Sequence, residues 1–443
     1  MNFGKFKRTL GLTLASVAAL GLVATSVAPA QAATTTITWL TDNTPSATKA
    51  AQGIVAAFQK ANPNIKVTLT TRPDGAEGDN VVKTKLATKT MENVFTYNSG
   101  ALLAALNPSR TLVDLKNEAF MSSVLPSFQS AVTSKGSVVG VPFGTAMGGG
   151  IYYNIPAFKA AGIKGTPKTW NQLISAARKL KANGVDAICG TFADSWTAQL
   201  FVLADYHNVQ TVNPRFAADF TANKIKLAKN PAALKGFQRL EQVKRLGLYN
   251  SDANTATYND GIARIASGKC GMYPMLTFAT SAIPVANQKD VGFMAQPGDS
   301  ATSYGLTTWM PAAAYISATT TGAKLTASKK LLAFIASKAG TDAYAKANGY
   351  EGPFLVTNQS KAPASVPRAT KDLAALVSGK TTPALEFLSA VKGPNLPSIL
   401  VQIASGQVSA VEGAKLYDKD VVAQARQLGL RGCLLYTSDA ADE

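Results

Sequence analysis

The sequence predicts an α/β protein made of two compact units, and two features of the 443-residue chain support this prediction. The first is a strand–helix–strand unit: residues 37–40 form an apolar run, residues 45–61 place apolar side chains on one helical face, and residues 65–69 alternate. Such a unit gives a parallel sheet. The second is the segment 140–162, whose glycines 148–150 permit backbone angles that side chains forbid. We expect the chain to leave one unit there and enter the other.

A third predicted strand, residues 93–97, completes the sheet of the first unit. Ligands of open α/β sheets collect at the carboxyl ends of the strands. The turns after Leu40, after Thr71 and after Tyr97 are therefore expected to line a binding site.

The second unit is expected to contain a helix that starts at a capping box formed by Thr169 and Gln172. The last helix of this unit is expected to be capped by Ser409 and Glu412. An amphipathic helix around residues 331–335 is expected beside the strand at 309–317, with which the chain returns to the first unit. No solenoid-type repeat is visible in the sequence.

Three segments carry a resemblance to a known family: the pattern of residues 140–162, the run Pro-Lys-Thr-Trp at 167–170, and residues 261–278, a helix followed by a strand. They resemble the extracellular solute-binding proteins of ABC importers, in the carbohydrate-binding, maltose-binding-protein-like branch. The resemblance extends over nearly all of residues 33–432. It implies a two-lobed periplasmic-binding-protein-like fold of type II, in which each lobe is a sheet flanked by helices and the ligand cleft lies between the lobes.

The resemblance also implies where the lobes begin and end. The N-terminal lobe is expected at residues 33–144 and 300–353, and the C-terminal lobe at 145–299 and 354–432. The implied function is the capture of a mono- or oligosaccharide by lobe closure, followed by delivery to the transmembrane subunits of an ABC permease. The protein is expected to act as a monomer, and closure is expected about crossings near Thr145, Asp299 and Pro353.

Both ends of the chain read as segments outside the fold. Residues 1–32 combine Lys5, Lys7 and Arg8 with an apolar run and the small-residue site 30–32, which is typical of a secretory signal peptide. The alternative, an N-terminal membrane anchor, would lack that cleavage site. No lipobox cysteine stands at the cleavage point, and an extracytoplasmic location (secreted, surface-associated or periplasmic) is expected. Residues 433–443 look like translated adapter sequence and are predicted to be a non-native tail.

Cys189 and Cys270 remain when that tail is set aside. An even number of cysteines in an exported protein favours a disulfide, although two small buried thiols are the alternative. The formal net charge is +18, with basic residues scattered along helices and no aromatic residues between them. This pattern lacks a recognisable nucleic-acid module, so no nucleic-acid partner is expected. It favours solubility and attraction to anionic polymers or lipid head groups.

The sequence contains few of the residues and motifs that enzymatic catalysis would need. His207 is the one histidine, and neither a Walker A loop nor a dinucleotide fingerprint is present, so neither a cofactor nor a metal nor a catalytic residue is predicted. One alternative stays open: Asp42 and Asp194 could face each other across a cleft as the carboxylate pair of a glycosidase. The same two groups also suit sugar hydroxyls as hydrogen-bond acceptors.

A sugar site needs flat aromatic faces and a ring of polar groups. Trp39, Tyr97, Trp196, Tyr273, Phe278 and Trp309 supply aromatic candidates at strand ends, and Trp196 is the preferred stacking platform. The predicted ligand-binding residues are Thr41, Asp42, Glu77, Tyr97, Asn98, Asp194, Trp196, Phe278, Trp309 and Gly352. Two rival functions remain: the same fold binding a polyamine, phosphate ester or peptide, with Asp42, Asp74, Glu77 and Asp194 all inward for a polyamine, or an extracellular glycoside-active enzyme.

Overall fold

The computed structural model describes residues 34–430, so the predicted signal peptide and the predicted tail lie outside the described residues. Strands and helices alternate along this part of the chain. The strands are β1 (Thr35–Asp42), β2 (Ile65–Arg72), β3 (Val94–Tyr97), β4 (Thr133–Ser134), β5 (Ser137–Val138), β6 (Gly140–Phe143), β7 (Met147–Asn154), β8 (Asp186–Ile188), β9 (Cys270–Leu276), β10 (Val291–Ala295), β11 (Leu306–Trp309), β12 (Ala312–Ile316) and β13 (Thr381–Pro383).

The helices flank the two larger sheets. They are α1 (Pro45–Ala61), α2 (Gly75–Ala87), α3 (Ala101–Ala104), α4 (Pro108–Thr111), α5 (Pro126–Ala131), α6 (Ile155–Ala160), α7 (Trp170–Ala182), α8 (Leu200–Leu203), α9 (Tyr206–Val212), α10 (Phe216–Thr221), α11 (Pro231–Arg245), α12 (Tyr258–Ser267), α13 (Gly322–Ile335), α14 (Lys338–Asn348), α15 (Arg368–Val377), α16 (Leu385–Leu388), α17 (Leu396–Ser405) and α18 (Ala410–Gln427). Short 3₁₀ turns include Ser195–Gln199 and Thr277–Ala282.

The first lobe is built on a five-stranded sheet in the order β2-β1-β3-β12-β6. Strands β1, β2 and β3 are parallel, whereas β12 runs antiparallel to both of its neighbours. The predicted strand–helix–strand unit is confirmed, with α1 capped by Thr44 and burying Ile54, Val55 and Phe58. The carboxyl ends of the three parallel strands therefore share one edge of this sheet.

The second lobe is built on a sheet in the order β13-β11-β7-β9-β8, with β10 also paired to β7. Strand β7 is long enough to hold two partners end to end: β10 pairs with its second half and β11 with its first. The predicted capping box of Thr169 and Gln172 starts α7, and Ser409 caps α18 through the Glu412 N–H. The sequence predicted both helix starts because capping residues act locally.

The chain passes from the first sheet to the second between β6 and β7, within the predicted segment. Glycines 148–150 lie inside β7 and not at that crossing, so the role predicted for them was wrong. These glycines allow close packing: a Cβ on Gly149 would lie 2.2 Å from the Trp309 ring, and one on Gly150 would lie 2.2 Å from the Met294 carbonyl oxygen. The left-handed backbone at this crossing belongs to Gly144, whose φ is 121°. The triple glycine therefore makes room for a tryptophan instead of a bend.

Two segments differ from the predicted lobe boundaries. Strand β11 lies after residue 300 but pairs with β7 and β13 of the second sheet, and the chain reaches the first sheet only with β12. Phe354, Leu355 and Val356 lie after residue 353 but are buried in the core of the first lobe. In both places strand pairing or apolar burial carries the chain a few residues beyond the predicted crossing.

Candidate functional site

A cleft between the two lobes encloses ≈ 310 Å³, at the lower end of the range for small-molecule sites. Its first-lobe wall comes from the residues that follow β1, β2 and β3, which is the edge where parallel sheets place ligands. Its second-lobe wall comes from the turn at Ser195–Gln199, the end of β9, the end of β11 and the segment around α16. Two contacts cross the cleft: Trp196 Nε1 donates to Asp74 Oδ2 over 2.8 Å, and Ser281 Oγ lies 3.1 Å from Ser46 Oγ.

Three aromatic rings pack together on the second-lobe side. The Trp196 ring lies 5.5 Å from Tyr258 and 6.1 Å from Phe278, and Tyr258 and Phe278 stack at 5.9 Å. Trp196 and Phe278 line the cleft, whereas Tyr258 is buried behind them. This packing holds the Trp196 indole in place while leaving it half-buried at the cleft wall.

Trp309 also lines the cleft although it is only 4% exposed, and its position is fixed from two sides. Its Nε1 donates to Glu386 Oε1 over 2.7 Å, and the other oxygen of Glu386 accepts from Lys392 Nζ. The absent side chain at Gly149 leaves space for the ring. Because Glu386 is saturated by these two donors, it holds the indole instead of offering a free charge.

The first lobe contributes polar groups to the cleft wall, among them Arg72, Asp79 and Tyr97. Arg72 is buried; its Nη1 donates to the Pro73 carbonyl oxygen over 2.8 Å, and its guanidinium lies 5.9 Å from the Tyr97 ring. Burial raises the pKa of Asp79, and the opposing charges of Arg72, Lys83 and Lys392 offset part of that increase. The Tyr97 hydroxyl is inaccessible to water and lies beside the Asp79 carboxylate.

Two further acidic residues of the first lobe, Asp42 and Asp74, line the cleft. Burial raises the pKa of Asp74, with the neighbouring charges of Asp194 and Asp42 adding to that increase and the Trp196 N–H opposing it. Asp42 accepts from the Thr44 amide over 3.1 Å and from the Thr44 hydroxyl. The carboxylates of Asp42 and Asp74 therefore offer acceptors to hydroxyl or amine donors in the cleft.

Six of the ten predicted site residues line the cleft: Asp42, Tyr97, Asn98, Trp196, Phe278 and Trp309. The other four do not. Thr41 is buried and accepts from the Thr96 hydroxyl over 3.0 Å, Glu77 is exposed on α2, Asp194 accepts from the Tyr258 amide over 2.6 Å, and Gly352 packs beside Ala146. Trp39 and Tyr273 are buried in the lobe cores.

Sequence reasoning missed several residues that line the cleft. They include Arg72, Asp79, Lys83, Tyr344, Glu351, Glu386 and Lys392. Asp74, which the sequence offered only for a polyamine, lines the cleft as well, and Arg72 stands directly after Thr71, where the rule about strand ends could have indicated it. Glu386 and Lys392 carry no comparable signal, because only the pairing of β13 with β11 brings their segment to the cleft.

The remaining observations concern His207, metal binding and membrane-spanning helices. His207 is buried and its ring nitrogens contact Thr382 Oγ1 at 2.8 Å and the Ser303 carbonyl oxygen at 3.1 Å, a packing role. Burial lowers its pKa. Within residues 34–430, no group of three or more His, Cys, Asp or Glu side chains is placed to hold a metal ion. In the same residues, no helix combines the length and apolar character needed to span a membrane.

Cys189 and Cys270 stand on neighbouring strands of the second lobe, with Cα atoms 5.9 Å apart and sulfurs at bonding distance. That Cα separation lies within the usual range for a disulfide. The bridge stays a prediction for the protein in solution.

Two sheet-and-helix lobes that face each other across a cleft define a type II periplasmic-binding-protein fold. A solved structure described as a chitin oligosaccharide binding protein superposes with a TM-score of 0.75 at 21% identity, covering 89% of this chain and 99% of that one. Residues 41–342 match the family described as bacterial extracellular solute-binding protein. The chain belongs to that family.

Two curated relatives are similar over part of their length. The multiple sugar-binding protein of Streptococcus mutans is 26% identical over 255 residues, 55% of this chain and 58% of that protein. The sn-glycerol-3-phosphate-binding periplasmic protein UgpB of Brucella abortus is 27% identical over 188 residues, 40% of this chain and 42% of that protein. The matches therefore span about half of each relative.

Proposed function

We propose that this protein is the extracytoplasmic carbohydrate-binding component of an ABC sugar importer. It captures a mono- or oligosaccharide between its lobes and presents the closed form to the transmembrane permease subunits. Only a ligand that prefers the closed form can shift the equilibrium towards closure. Residues 1–32 are proposed to direct export.

One observation carries the proposal: the cleft is lined by two indole rings of the second lobe together with polar groups of the first. Trp196 and Trp309 both line it, and each indole is held by a carboxylate, Asp74 and Glu386 respectively. Sugar rings have apolar C–H faces and polar edges, so a site that binds them combines aromatic faces with hydrogen-bonding groups. Asp42, Asp74 and Asp79 supply such groups.

The charge of the cleft argues against a phosphate ester. Of the described residues that line it, five are carboxylates (Asp42, Asp74, Asp79, Glu351 and Glu386) and three are cations (Arg72, Lys83 and Lys392). Two of the cations are engaged, Arg72 with backbone carbonyls and Lys392 with Glu386. An anionic ligand would find Lys83 together with the carboxylates of Asp42, Asp74 and Asp79, and burying an unpaired charge is costly.

The polyamine alternative needed four carboxylates pointing inward, and two of them do not line the cleft. Glu77 is exposed on α2, and Asp194 is bonded to the Tyr258 amide. The position of Asp194 also argues against a glycosidase, because Asp194 does not line the cleft and so cannot pair with Asp42 across it. A neutral sugar therefore fits the cleft better than either rival ligand or a hydrolytic role.

A thermal-shift panel tests the proposed function. The protein is heated with raffinose, mannobiose, chitin oligosaccharides and glucose, and separately with glycerol 3-phosphate and spermidine. A ligand at 100 times its dissociation constant adds about 2.7 kcal/mol to the unfolding free energy. We expect at least one sugar to raise the melting temperature and the two charged compounds to leave it unchanged.

A shift with glycerol 3-phosphate or spermidine alone would instead identify a charged ligand. Incubation of the same oligosaccharides with the protein, followed by chromatography, tests the enzymatic rival. New, shorter products would show hydrolysis, whereas the proposal expects the oligosaccharides to be recovered intact.

A further inference from the structure

We propose that Glu351 is held as a neutral carboxylic acid when the two lobes are in contact, so that closing the cleft takes up a proton. This inference rests on the proposed function only in naming sugar capture as the event that closure serves. The linkage itself is a property of the chain with or without a ligand.

Glu351 is the most buried carboxylate of the cleft wall. Its side chain borders the cleft, yet the residue is only 3% exposed. Oε2 accepts from the Tyr344 hydroxyl over 3.1 Å, while Oε1 is inaccessible to water and has no hydrogen-bond partner among the described residues. A buried carboxylate with one hydrogen bond to one oxygen and none to the other is poorly stabilised in its charged form.

Glu351 also stands where the lobes are connected. The residues after it run beside the first crossing: the Ala146 amide donates to the Pro353 carbonyl oxygen over 2.9 Å, and Thr145 bridges to Phe354. Close by, Ser281 of the second lobe meets Ser46 of the first at 3.1 Å, and Ser46 also accepts from Asn348. Separation of the lobes breaks the Ser281–Ser46 contact and admits water to this region.

The groups that face Glu351 do not supply a compensating charge at short range. From α14 it accepts a hydrogen bond from the Tyr344 hydroxyl, and from α1 the charge of Lys49 acts on it. From the second lobe it faces Ser281 and the phenols of Tyr152 and Tyr258, whose pKa values burial raises above the usual range. None of these phenols titrates between pH 6 and 8.

The sign of the linkage follows from the direction of the shift. Burial raises the pKa of Glu351 from 4.5 to about 7, and the nearby Ser281 and Tyr344 hydroxyls with the charge of Lys49 oppose that increase. A group whose pKa is higher in the closed form stabilises that form when protonated. The stabilisation is complete below pH 4.5 and is lost as the pH rises through 7. Between pH 6 and pH 8 the equilibrium towards the closed form should fall about tenfold.

The test compares urea unfolding of the wild type and Glu351→Gln at pH 6, 7 and 8, for the ligand-free protein and for the protein saturated with the most stabilising sugar of the panel. Glutamine keeps the shape and cannot titrate. The folded-to-unfolded ratio of the wild type, relative to the variant, should decrease about tenfold from pH 6 to pH 8. Glu412→Gln, at an exposed carboxylate of α18, is the matched control and should show no such pH dependence.

The difference between the wild type and Glu351→Gln should be larger with saturating sugar than without it, because the sugar holds the lobes together. An equal difference in the two states would show that Glu351 is protonated in the folded protein whether or not the lobes close, and it would overturn the proposal. A difference in neither state overturns the proposal too, and so does an equal difference for Glu412→Gln. If Glu351→Gln fails to fold, Tyr344→Phe decides the matter, because loss of a donor should move the transition to higher pH. A failed sugar panel refutes the proposed function; the linkage is then tested on the ligand-free protein by small-angle X-ray scattering, which should show a more compact wild type at pH 6 than at pH 8, and equal dimensions at both pH values would overturn it.

Discussion

Replacement of Trp196 by alanine should weaken sugar binding far more than it weakens the fold. Aromatic side chains bury about 150–250 Å², so a sugar that covers one indole face removes on the order of 100 Å² from water. At about 25 cal/mol per Å², this area contributes about 2.5 kcal/mol, or roughly 60-fold in affinity. The structure supports one free face because Tyr258 and Phe278 pack against the ring and the residue is half-buried.

Two companion variants separate the contributions. Trp196→Phe keeps an aromatic face and removes the N–H that donates to Asp74 over 2.8 Å, so an intermediate loss of about tenfold is expected. Trp170→Phe is the matched control: this tryptophan is buried in the second-lobe core, and its N–H donates to Gln242 over 2.6 Å. The control should lower the melting temperature and leave affinity unchanged.

Isothermal titration calorimetry with the most stabilising sugar of the panel gives the dissociation constants of the wild type and the three variants, and circular dichroism gives the melting temperatures. The reasoning is refuted if Trp196→Ala binds within threefold of the wild type. It is equally refuted if Trp170→Phe loses as much affinity as Trp196→Ala, since that would make the effect a general loss of structure.

Three further substitutions test the packing that supports the site. Gly149→Ala would place its Cβ 2.2 Å from the Trp309 ring, so we expect a loss of about 1–3 kcal/mol in the free energy of unfolding and weaker sugar binding; unchanged values for both would contradict the packing argument. Cys189→Ser should destabilise the protein by about 2–4 kcal/mol, and the denatured, unreduced wild type should titrate one free thiol; three thiols would show that Cys189 and Cys270 are not bridged. Arg239→Ala leaves a buried carboxylate unpaired and should cost about 3–5 kcal/mol by urea unfolding; a cost below about 1 kcal/mol would mean that this ion pair contributes little.

The sequence predicted those parts of the fold that depend on local signals. Thr169 with Gln172, Ser409 with Glu412, and the periodic apolar face of α1 fixed helix starts and types because capping and amphipathicity act within a few residues. The site candidates that follow parallel strands, such as Asp42 and Tyr97, were also correctly placed in the cleft wall. Both kinds of prediction use rules that need no knowledge of distant contacts.

Other features depend on distant contacts and could not be predicted in this way. The triple glycine was interpreted as part of the crossing between the two units. In the structure Gly149 instead leaves space for the ring of Trp309, which lies about 160 residues later in the chain. Asp194 follows β8 as expected but is drawn away from the cleft by the Tyr258 amide. Glu386 reaches the cleft only because β13 pairs with β11. In each case a tertiary contact decides the role of the residue.

The central claim, that a sugar binds in the cleft lined by Trp196 and Trp309, can be tested with the four indole N–H signals of the protein. The protein is labelled with ¹⁵N-tryptophan, and the signals are assigned with Trp→Phe variants. Addition of the most stabilising sugar of the panel should shift the signals of Trp196 and Trp309 and leave those of Trp39 and Trp170, both buried in lobe cores, in place. Saturating sugar that leaves the Trp196 and Trp309 signals unmoved would contradict the account.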